Sequence, residues 1–314
     1  MDNYLSITQT TNNQLLTHTT MKAIKKNKTI LFGQTMMVLA MCVCGFTACG
    51  DDADEQPALP TFLEVSAKYV ATDEKAAFQI VELTPDAHFI MTAPANEEVG
   101  DIRYGNYTIL SQNQFRLNGY GTLEVKDLSA DSYSLTLTPS NGSAINVPTS
   151  KRKAVEGGTL TDRMVGSWKV TAQQIQLERD GIVFSRTIKE GEWEALDQEL
   201  RTWAKQFEGE VDKTWLTYRL DDMVEEYKHP FPSAVFTRFG TYLVLSEEGS
   251  ECAWWRWQDE RQGLLRYSWT EGNMYDENES GLSRIGFSDG LLTIAQDFPG
   301  FFTETVTAYC ESIK

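Results

Sequence analysis

Short runs in which apolar and polar residues alternate, divided by turn residues, fill the chain from Phe62 to Val147. In one such run Tyr133, Leu135 and Leu137 alternate with serine and threonine, which is the two-residue period of a half-buried strand. No stretch of this sequence has the 3.6-residue period of an amphipathic helix. The pattern predicts a small antiparallel β module of about seven strands over residues 62–147.

The alternation stops at residues 148–162, which contain a proline, two adjacent glycines and a basic trio, Lys151, Arg152 and Lys153. Proline and paired glycines interrupt regular structure, so we predict a linker here. The basic trio has two interpretations, a binding site for a lipid headgroup and a solvated loop. The turn residues around it favour the loop.

Both periods occur in residues 163–314. Trp193, Leu200 and Trp203 share one face of a helical repeat, and a second helical stretch ends before Pro230. Strand-like alternation precedes and follows these helices. The sequence therefore predicts a mainly β chain with two antiparallel β modules, the second carrying a two-helix insertion at about 191–228.

One predicted strand is rich in tryptophan. In an extended chain Trp255 and Trp257 lie on one face, and Trp254 and Arg256 lie on the other. If the first face is the core, Trp254 and Arg256 are free to bind a ligand, since an indole beside a guanidinium suits sugar stacking or a partner protein. The alternative is that Trp254 packs beneath the helical insertion.

The N-terminal region has the order of features that a secretory signal requires. Four lysines precede an apolar run of 19 residues from Ile30 to Ala48, and an acidic run begins just after Cys49. We predict a signal peptide over residues 21–48, with residues 1–20 as an upstream extension. A transmembrane helix is the alternative, and the glutamine and cysteines within the run fit it poorly.

Residues 46–49, Phe-Thr-Ala-Cys, resemble the lipobox of bacterial lipoproteins. The resemblance implies that Cys49 becomes the first residue of the mature chain and carries fatty acyl chains such as palmitate, which anchor it to a membrane. The acidic residues that follow resemble the export signal of Bacteroides-type surface lipoproteins. They imply an outer-membrane protein at the cell surface, with residues 49–61 as the tether; a merely solvated acidic tether is the alternative.

The mature chain is strongly acidic. Without the four lysines of the signal and Asp2, it has 24 Lys and Arg against 44 Asp and Glu, a formal charge of −20. Such a surface repels nucleic acid, so we expect no nucleic-acid partner. Cys252 and Cys310 are the only cysteines of the mature chain besides Cys49. They form either one disulfide or two buried reduced thiols.

Residues 166–168, Gly-Ser-Trp, are similar to the Gly-x-Trp opening strand of lipocalins and of lipocalin-like domains in many Bacteroides-type lipoproteins. The run from Ile285 to Ile294 also resembles that group. The resemblance implies that residues 163–314 form an up-and-down barrel. In that barrel Trp168 plugs one end and a small apolar ligand occupies the other. The alternative use of Trp168 is to stack on a ligand ring.

The sequence has no H-E-x-x-H or C-x-x-C motif, no phosphate loop and no dinucleotide motif. We therefore predict no catalytic residues, no metal ligands and no cofactor. The predicted function is non-catalytic binding of a small apolar or carbohydrate ligand by an exported lipoprotein. The alternatives are docking onto another envelope protein through the Trp-rich strand and, with less support, a glycan-acting enzyme that uses two carboxylates.

Overall fold

The computed structural model describes residues 58–92, 102–210, 212–247 and 249–313. Residues 59–314 belong to one compact unit. The predicted signal peptide, Cys49 and most of the acidic tether lie outside the described residues. None of the described helices has the length and apolar character needed to cross a membrane.

The first part of the unit is a closed antiparallel barrel in which each strand pairs with the next and the last pairs with the first. It follows a short helix, α1 (Phe62–Val65). Its strands are β1 (Ala67–Ala71), β2 (Ile80–Leu83), β3 (His88–Thr92), β4 (Ile102–Ile109), β5 (Gln114–Leu117), β6 (Gly121–Ser129), β7 (Ser132–Pro139) and β8 (Ile145–Arg152). Closure leaves no unpaired sheet edge in this barrel.

The strand β8 runs past residue 147, where the sequence suggested that the module ends. Pro148 does not stop it: Pro148 pairs with Ser134 of β7, and its carbonyl accepts a hydrogen bond from the Thr72 N–H at 3.0 Å. Two residues of the basic trio, Lys151 and Arg152, therefore lie in a strand that pairs with β1, where a loop was expected.

The interior of the first barrel is apolar. Leu123 faces Leu137 and Val125 faces Leu135 across β6 and β7, and all four side chains are buried. Each such side chain contributes roughly 1.5–3 kcal/mol by leaving water. The alternation that predicted these strands therefore also supplies their core.

The second part begins with helix α2 (Thr159–Met164) and is a nine-stranded antiparallel sheet. The strands are β9 (Gly166–Arg179), β10 (Ile182–Lys189), β11 (Ser233–Phe236), β12 (Thr241–Ser246), β13 (Gly249–Asp259), β14 (Leu264–Ser268), β15 (Gly281–Ser288), β16 (Leu291–Phe298) and β17 (Thr303–Ser312). One edge of β9 pairs first with β11 and then with β10, and its other edge pairs with β17. Eight strands thus close a second barrel, and β10 extends it.

Two helices, α3 (Trp193–Ala204) and α4 (Lys213–Glu226), are inserted between β10 and β11. The Asp212 carboxylate caps α4 by accepting the Trp215 N–H at 2.9 Å. The prediction of two antiparallel β modules, the second a lipocalin-like barrel with a two-helix insertion, is confirmed.

The helical insertion packs against the barrel rather than standing apart from it. The Trp203 ring contacts the rings of Phe184, Phe207 and Phe302 at centroid distances of 5.0–5.8 Å. These rings belong to the same buried cluster as the barrel residue Trp168, which lies toward the opposite end of β9. The end that the lipocalin resemblance assigned to a ligand is therefore covered by helices.

Both cysteines of this unit are free thiols in different clusters. Cys310 is fully buried in the core of the second barrel, whereas Cys252 packs with Val235 and Leu243 where the two barrels meet. Burial raises the pKa of the Cys252 thiol to about 11 and that of Cys310 to about 12.

We expect neither thiol to react with iodoacetamide in the folded protein at pH 8. Because burial raises the pKa of both thiols well above pH 8, little of either is present as the thiolate, which is the nucleophile. In guanidinium without reductant both should label readily, as mass spectrometry of the peptides would show. Rapid labelling of the native protein would contradict the burial, and no labelling after unfolding would indicate a disulfide.

Candidate functional site

The two barrels pack against each other through the outer faces of their strands. Ile90 projects outward from β3, and Val235 and Leu243 project outward from β11 and β12. These three side chains form a separate buried cluster. Their positions alternate with residues that point into the barrels, so the same two-residue period supplies both the cores and the junction.

A buried polar chain crosses this junction. The Lys68 ammonium on β1 donates a hydrogen bond of 2.7 Å to the Thr241 hydroxyl on β12. That hydroxyl donates one of 2.5 Å to the Glu82 carboxylate on β2. Lys68 and Glu82 are opposite one another across β1 and β2, and all three residues are 0% exposed.

Burial opposes the charge on both ends of this chain. It lowers the pKa of the Lys68 ammonium and raises the pKa of the Glu82 carboxyl, and in each case the opposite charge partly offsets the effect. The second Glu82 oxygen, Oε1, is buried and has no hydrogen-bond partner among the described residues. The opposite charges of Lys68 and Glu82 therefore offset the cost of their burial only in part.

Trp254 lies directly against Lys68, with the ammonium 3.4 Å from the indole centroid. Lys68 belongs to the first barrel, so Trp254 packs against that barrel. The alternative, that Trp254 packs beneath the helical insertion, is not what the structure shows. Trp255 and Trp257, on the other face of β13, belong to the core cluster of the second barrel. The face assignment made from the alternation therefore agrees with the structure.

Beside Trp254 is a cavity of about 190 Å³, which we call the junction pocket. The end of β8, the turn after β11, the strand β13 and a 3₁₀ turn (Glu271–Tyr275) all contribute to it. The lining residues are Arg152, Lys153, Val155, Phe239, Gly240, Trp254, Trp255, Arg256, Glu271, Met274 and Tyr275. Both predicted ligand-binding residues, Trp254 and Arg256, thus line one cavity.

Gly240 allows the turn to approach β13 closely. Its φ is +79°, and a Cβ there would lie 3.0 Å from the Trp255 carbonyl and 3.1 Å from the Val155 side chain. A residue with a side chain would be strained in this conformation and would crowd the wall of the pocket.

Arg256 presents a cation to the junction pocket. Its guanidinium carbon is 4.1 Å from the Tyr275 ring centroid, and one of its terminal nitrogens donates to the Met274 carbonyl at 3.3 Å. Its Nε is buried without a hydrogen-bond partner, and no carboxylate of the described residues is within ion-pair distance of Arg256. Tyr275 is 78% exposed, so one face of this cation–ring pair is open to a ligand.

An ion pair links the two barrels at the rim of the pocket. Arg152, at the end of β8, contacts Glu271 of the 3₁₀ turn at 2.9 Å. Both side chains are about two-fifths exposed, so the pair contributes about 1 kcal/mol or less. The ion pair matters mainly because it joins one residue from each barrel at the edge of the same cavity.

A second cavity, of about 300 Å³, lies between the two inserted helices. Its charged residues are paired with one another: Arg201 with Asp197 and Asp221, and Lys228 with Glu225. Because these cations already have carboxylate partners, this cavity is a weaker candidate than the junction pocket.

Trp168 is enclosed by protein groups. Its Nε1 donates to the Met164 carbonyl at 2.7 Å, and its ring meets Phe287 edge-on at 5.9 Å. It is 7% exposed, which suits a plug and leaves little surface for a ligand. In the part of the chain that the structure describes, no three His, Cys, Asp or Glu side chains are grouped as a metal site requires.

No protein-family model matches this chain, and no curated protein does. Among solved structures it aligns with a protein of unknown function of the DUF3598 family from Nostoc punctiforme PCC 73102. The TM-score is 0.20 and the identity 10%, over 80% of this chain and 97% of the other. It also aligns with a mutant of the vaccine antigen transferrin-binding protein B from Haemophilus parasuis Hp5, at a TM-score of 0.21 and 9% identity. That alignment covers 79% of this chain and spans 59% of the other. TM-scores this low carry no argument, so function is argued from the site alone.

Several pocket residues had no assigned role in the sequence. Arg152 and Lys153 stood out as part of the basic trio but were assigned to a solvated loop. Glu271 and Tyr275 belong to a 3₁₀ turn whose five residues show no period. Lys68, which lies against Trp254, has no local sequence signal that a second barrel covers it.

Proposed function

We propose that this protein is a non-catalytic, exported and lipid-anchored binding protein whose junction pocket takes a carbohydrate. The observation that carries the proposal is the arrangement of Trp254, Arg256 and Tyr275 around one cavity to which both barrels contribute. Aromatic rings beside a guanidinium offer both a stacking surface and hydrogen-bond donors, which a polar ring can use together.

The composition of the pocket favours a carbohydrate over an apolar ligand. An apolar molecule would bury the charges of Arg256 and Lys153 without offering them an acceptor, which is unfavourable. The volume of about 190 Å³ is also below the roughly 300–1,000 Å³ of most ligand clefts, so a single sugar ring or the end of a chain is the expected occupant.

The same residues argue against catalysis at this site. Cleavage of a glycosidic bond usually needs two carboxyl groups about 5–9.5 Å apart. Glu271 is the only acidic residue among those that line the pocket, and it is paired with Arg152. Binding without chemistry is therefore the function that this arrangement supports.

Docking onto another envelope protein through the Trp-rich strand is the second candidate, and it has less support. The outward tryptophan of that strand, Trp254, is already in contact with Lys68 of the first barrel. An external partner would have to use the exposed part of the same pocket, around Tyr275.

Replacing Tyr275 with alanine should weaken glycan binding by tenfold or more, because a tenfold loss is about 1.4 kcal/mol and hot-spot aromatics contribute about 2 kcal/mol or more. Tyr275 is 78% exposed, so the free energy of unfolding should change by less than about 0.5 kcal/mol. A glycan array, followed by calorimetry on the glycans that bind, provides the measurement. Trp254→Ala is harder to interpret, because it also removes the ring that covers the buried Lys68 ammonium.

Tyr218→Ala is the matched control. Tyr218 lies on α4, away from the junction pocket, and is 61% exposed. Its removal should leave glycan binding unchanged. If the Tyr275→Ala and wild-type proteins bind glycans with equal affinity, the junction pocket is not the glycan-binding site.

A further inference from the structure

The charges of the junction pocket are opposite to those of the chain as a whole. The mature chain has a formal charge of −20, yet the residues that line this cavity include three cations, Arg152, Lys153 and Arg256, and one carboxylate, Glu271. An acidic protein that collects cations around one cavity creates a local site for an anion.

Within the described residues, two of these cations have no carboxylate partner. Glu271 is engaged by Arg152, and neither Lys153 nor Arg256 is within ion-pair distance of a carboxylate in the described ranges. Arg256 is also partly buried, with only the Met274 carbonyl and the Tyr275 ring to offset its charge. A partly desolvated cation without a counter-charge is unfavourable, and an incoming anion would relieve that cost.

We propose that the junction pocket selects an anionic sugar, one that carries a carboxylate or sulfate group beside its ring. This inference rests on the proposed function and narrows its ligand class. The ring lies against Trp254 and Tyr275, and the acid group is held by Arg256 and Lys153. Arginine suits this role because its planar set of donors matches the two oxygens of a carboxylate.

The overall charge restricts the size of the ligand. Beyond a Debye length of about 8 Å at physiological salt, the charges of the surface are largely screened, so a small anion that reaches the pocket meets mainly its three cations. A long polyanion would also lie along the acidic surface and be repelled. The ligand is therefore a short anionic saccharide or the charged end of a neutral chain.

The test titrates the full chain, in a mild detergent, with glucuronate, glucose 6-sulfate and glucose. The anionic sugars should bind at least tenfold more tightly than glucose, and raising NaCl from 50 to 500 mM should reduce that preference. Arg256→Gln and the exposed-site variant Lys153→Gln should each lower the affinity for the anions several-fold more than they lower the affinity for glucose. Whichever of glucuronate and glucose 6-sulfate binds more tightly identifies the acid group.

Lys126→Gln removes the same charge from the exposed part of β6 and should behave like the wild type. If glucose and the anions bind equally, the anionic preference is refuted while sugar binding stands. If no sugar binds the wild-type chain, the proposed function fails together with this inference. If Lys126→Gln weakens anion binding as much as Arg256→Gln does, the preference comes from overall charge and the assigned site is wrong.

Discussion

Replacing Lys68 with methionine is expected to lower the free energy of unfolding by about 3–5 kcal/mol, the usual loss when one of two opposite buried charges is removed. The two charges are bridged here by the Thr241 hydroxyl. The ammonium is fully buried, donates to Thr241 and sits against the Trp254 ring. Methionine fills much of the same volume but leaves the Glu82 carboxylate without its counter-charge. Guanidinium denaturation of the two proteins measures the difference.

A double variant separates charge from packing. Lys68→Met combined with Glu82→Leu removes both charges and should recover most of the loss, because apolar residues can replace a buried ion pair at little cost. Lys126→Met, at an exposed position on β6, serves as the control and should change stability by less than about 0.5 kcal/mol. A Lys68→Met protein as stable as the wild type would show that the barrels do not depend on this pair.

The loss caused by Lys68→Met should also depend on pH. Burial raises the pKa of Glu82, and without Lys68 only the smaller effects of the Thr237 and Thr241 hydroxyls oppose that rise. Folded Glu82 then keeps its proton at pH values where the unfolded carboxyl has lost it, and stability falls with rising pH wherever the folded state binds more protons. The difference from the wild type should therefore be smallest near pH 5 and grow toward pH 8. A difference that shrinks over this range would contradict the assignment.

The periodicity of the sequence predicts which face of an element is buried, but not what covers the other face. It assigns Trp255 and Trp257 to a core and places Leu200 and Trp203 on the packing face of a helix, and the structure agrees. These predictions succeed because a strand or helix buries its apolar side whatever its neighbour is.

The contacts between the two barrels cannot be predicted from the periodicity of the sequence. Lys68 is 173 residues from the hydroxyl that it contacts, and its charge predicts solvent rather than burial. The prediction that the basic trio lies in a loop is wrong because the decisive contacts are again distant in sequence. Pro148 and the paired glycines are local signals of a break, whereas the pairing of β8 with both of its neighbours is set by closure of the barrel. The pocket is built from these long-range pairings, so only Trp254 and Arg256, two of its three β13 residues, could be proposed from the sequence.

Replacing Cys49 with serine is expected to abolish incorporation of labelled palmitate entirely. A thioether-linked lipid needs the sulfur, and processing before residue 49 follows that modification in the lipoproteins that this signal resembles. Several acyl chains, at about 0.8 kcal/mol per buried CH₂, would account for stable anchoring of a chain that is otherwise strongly acidic. Metabolic labelling and the mass of the mature N-terminus provide the two measurements.

The predicted signal contains its own controls, because Cys42 and Cys44 lie a few residues before Cys49. If maturation cleaves the predicted signal peptide after residue 48, the Cys42→Ser and Cys44→Ser proteins should incorporate palmitate like the wild type. Their mature chains should also have the same mass as the wild type. Sedimentation with membranes is a weaker readout, since an uncleaved Cys49→Ser chain keeps its apolar run. Palmitate on a Cys49→Ser chain, or its loss in Cys44→Ser, would place the lipid elsewhere.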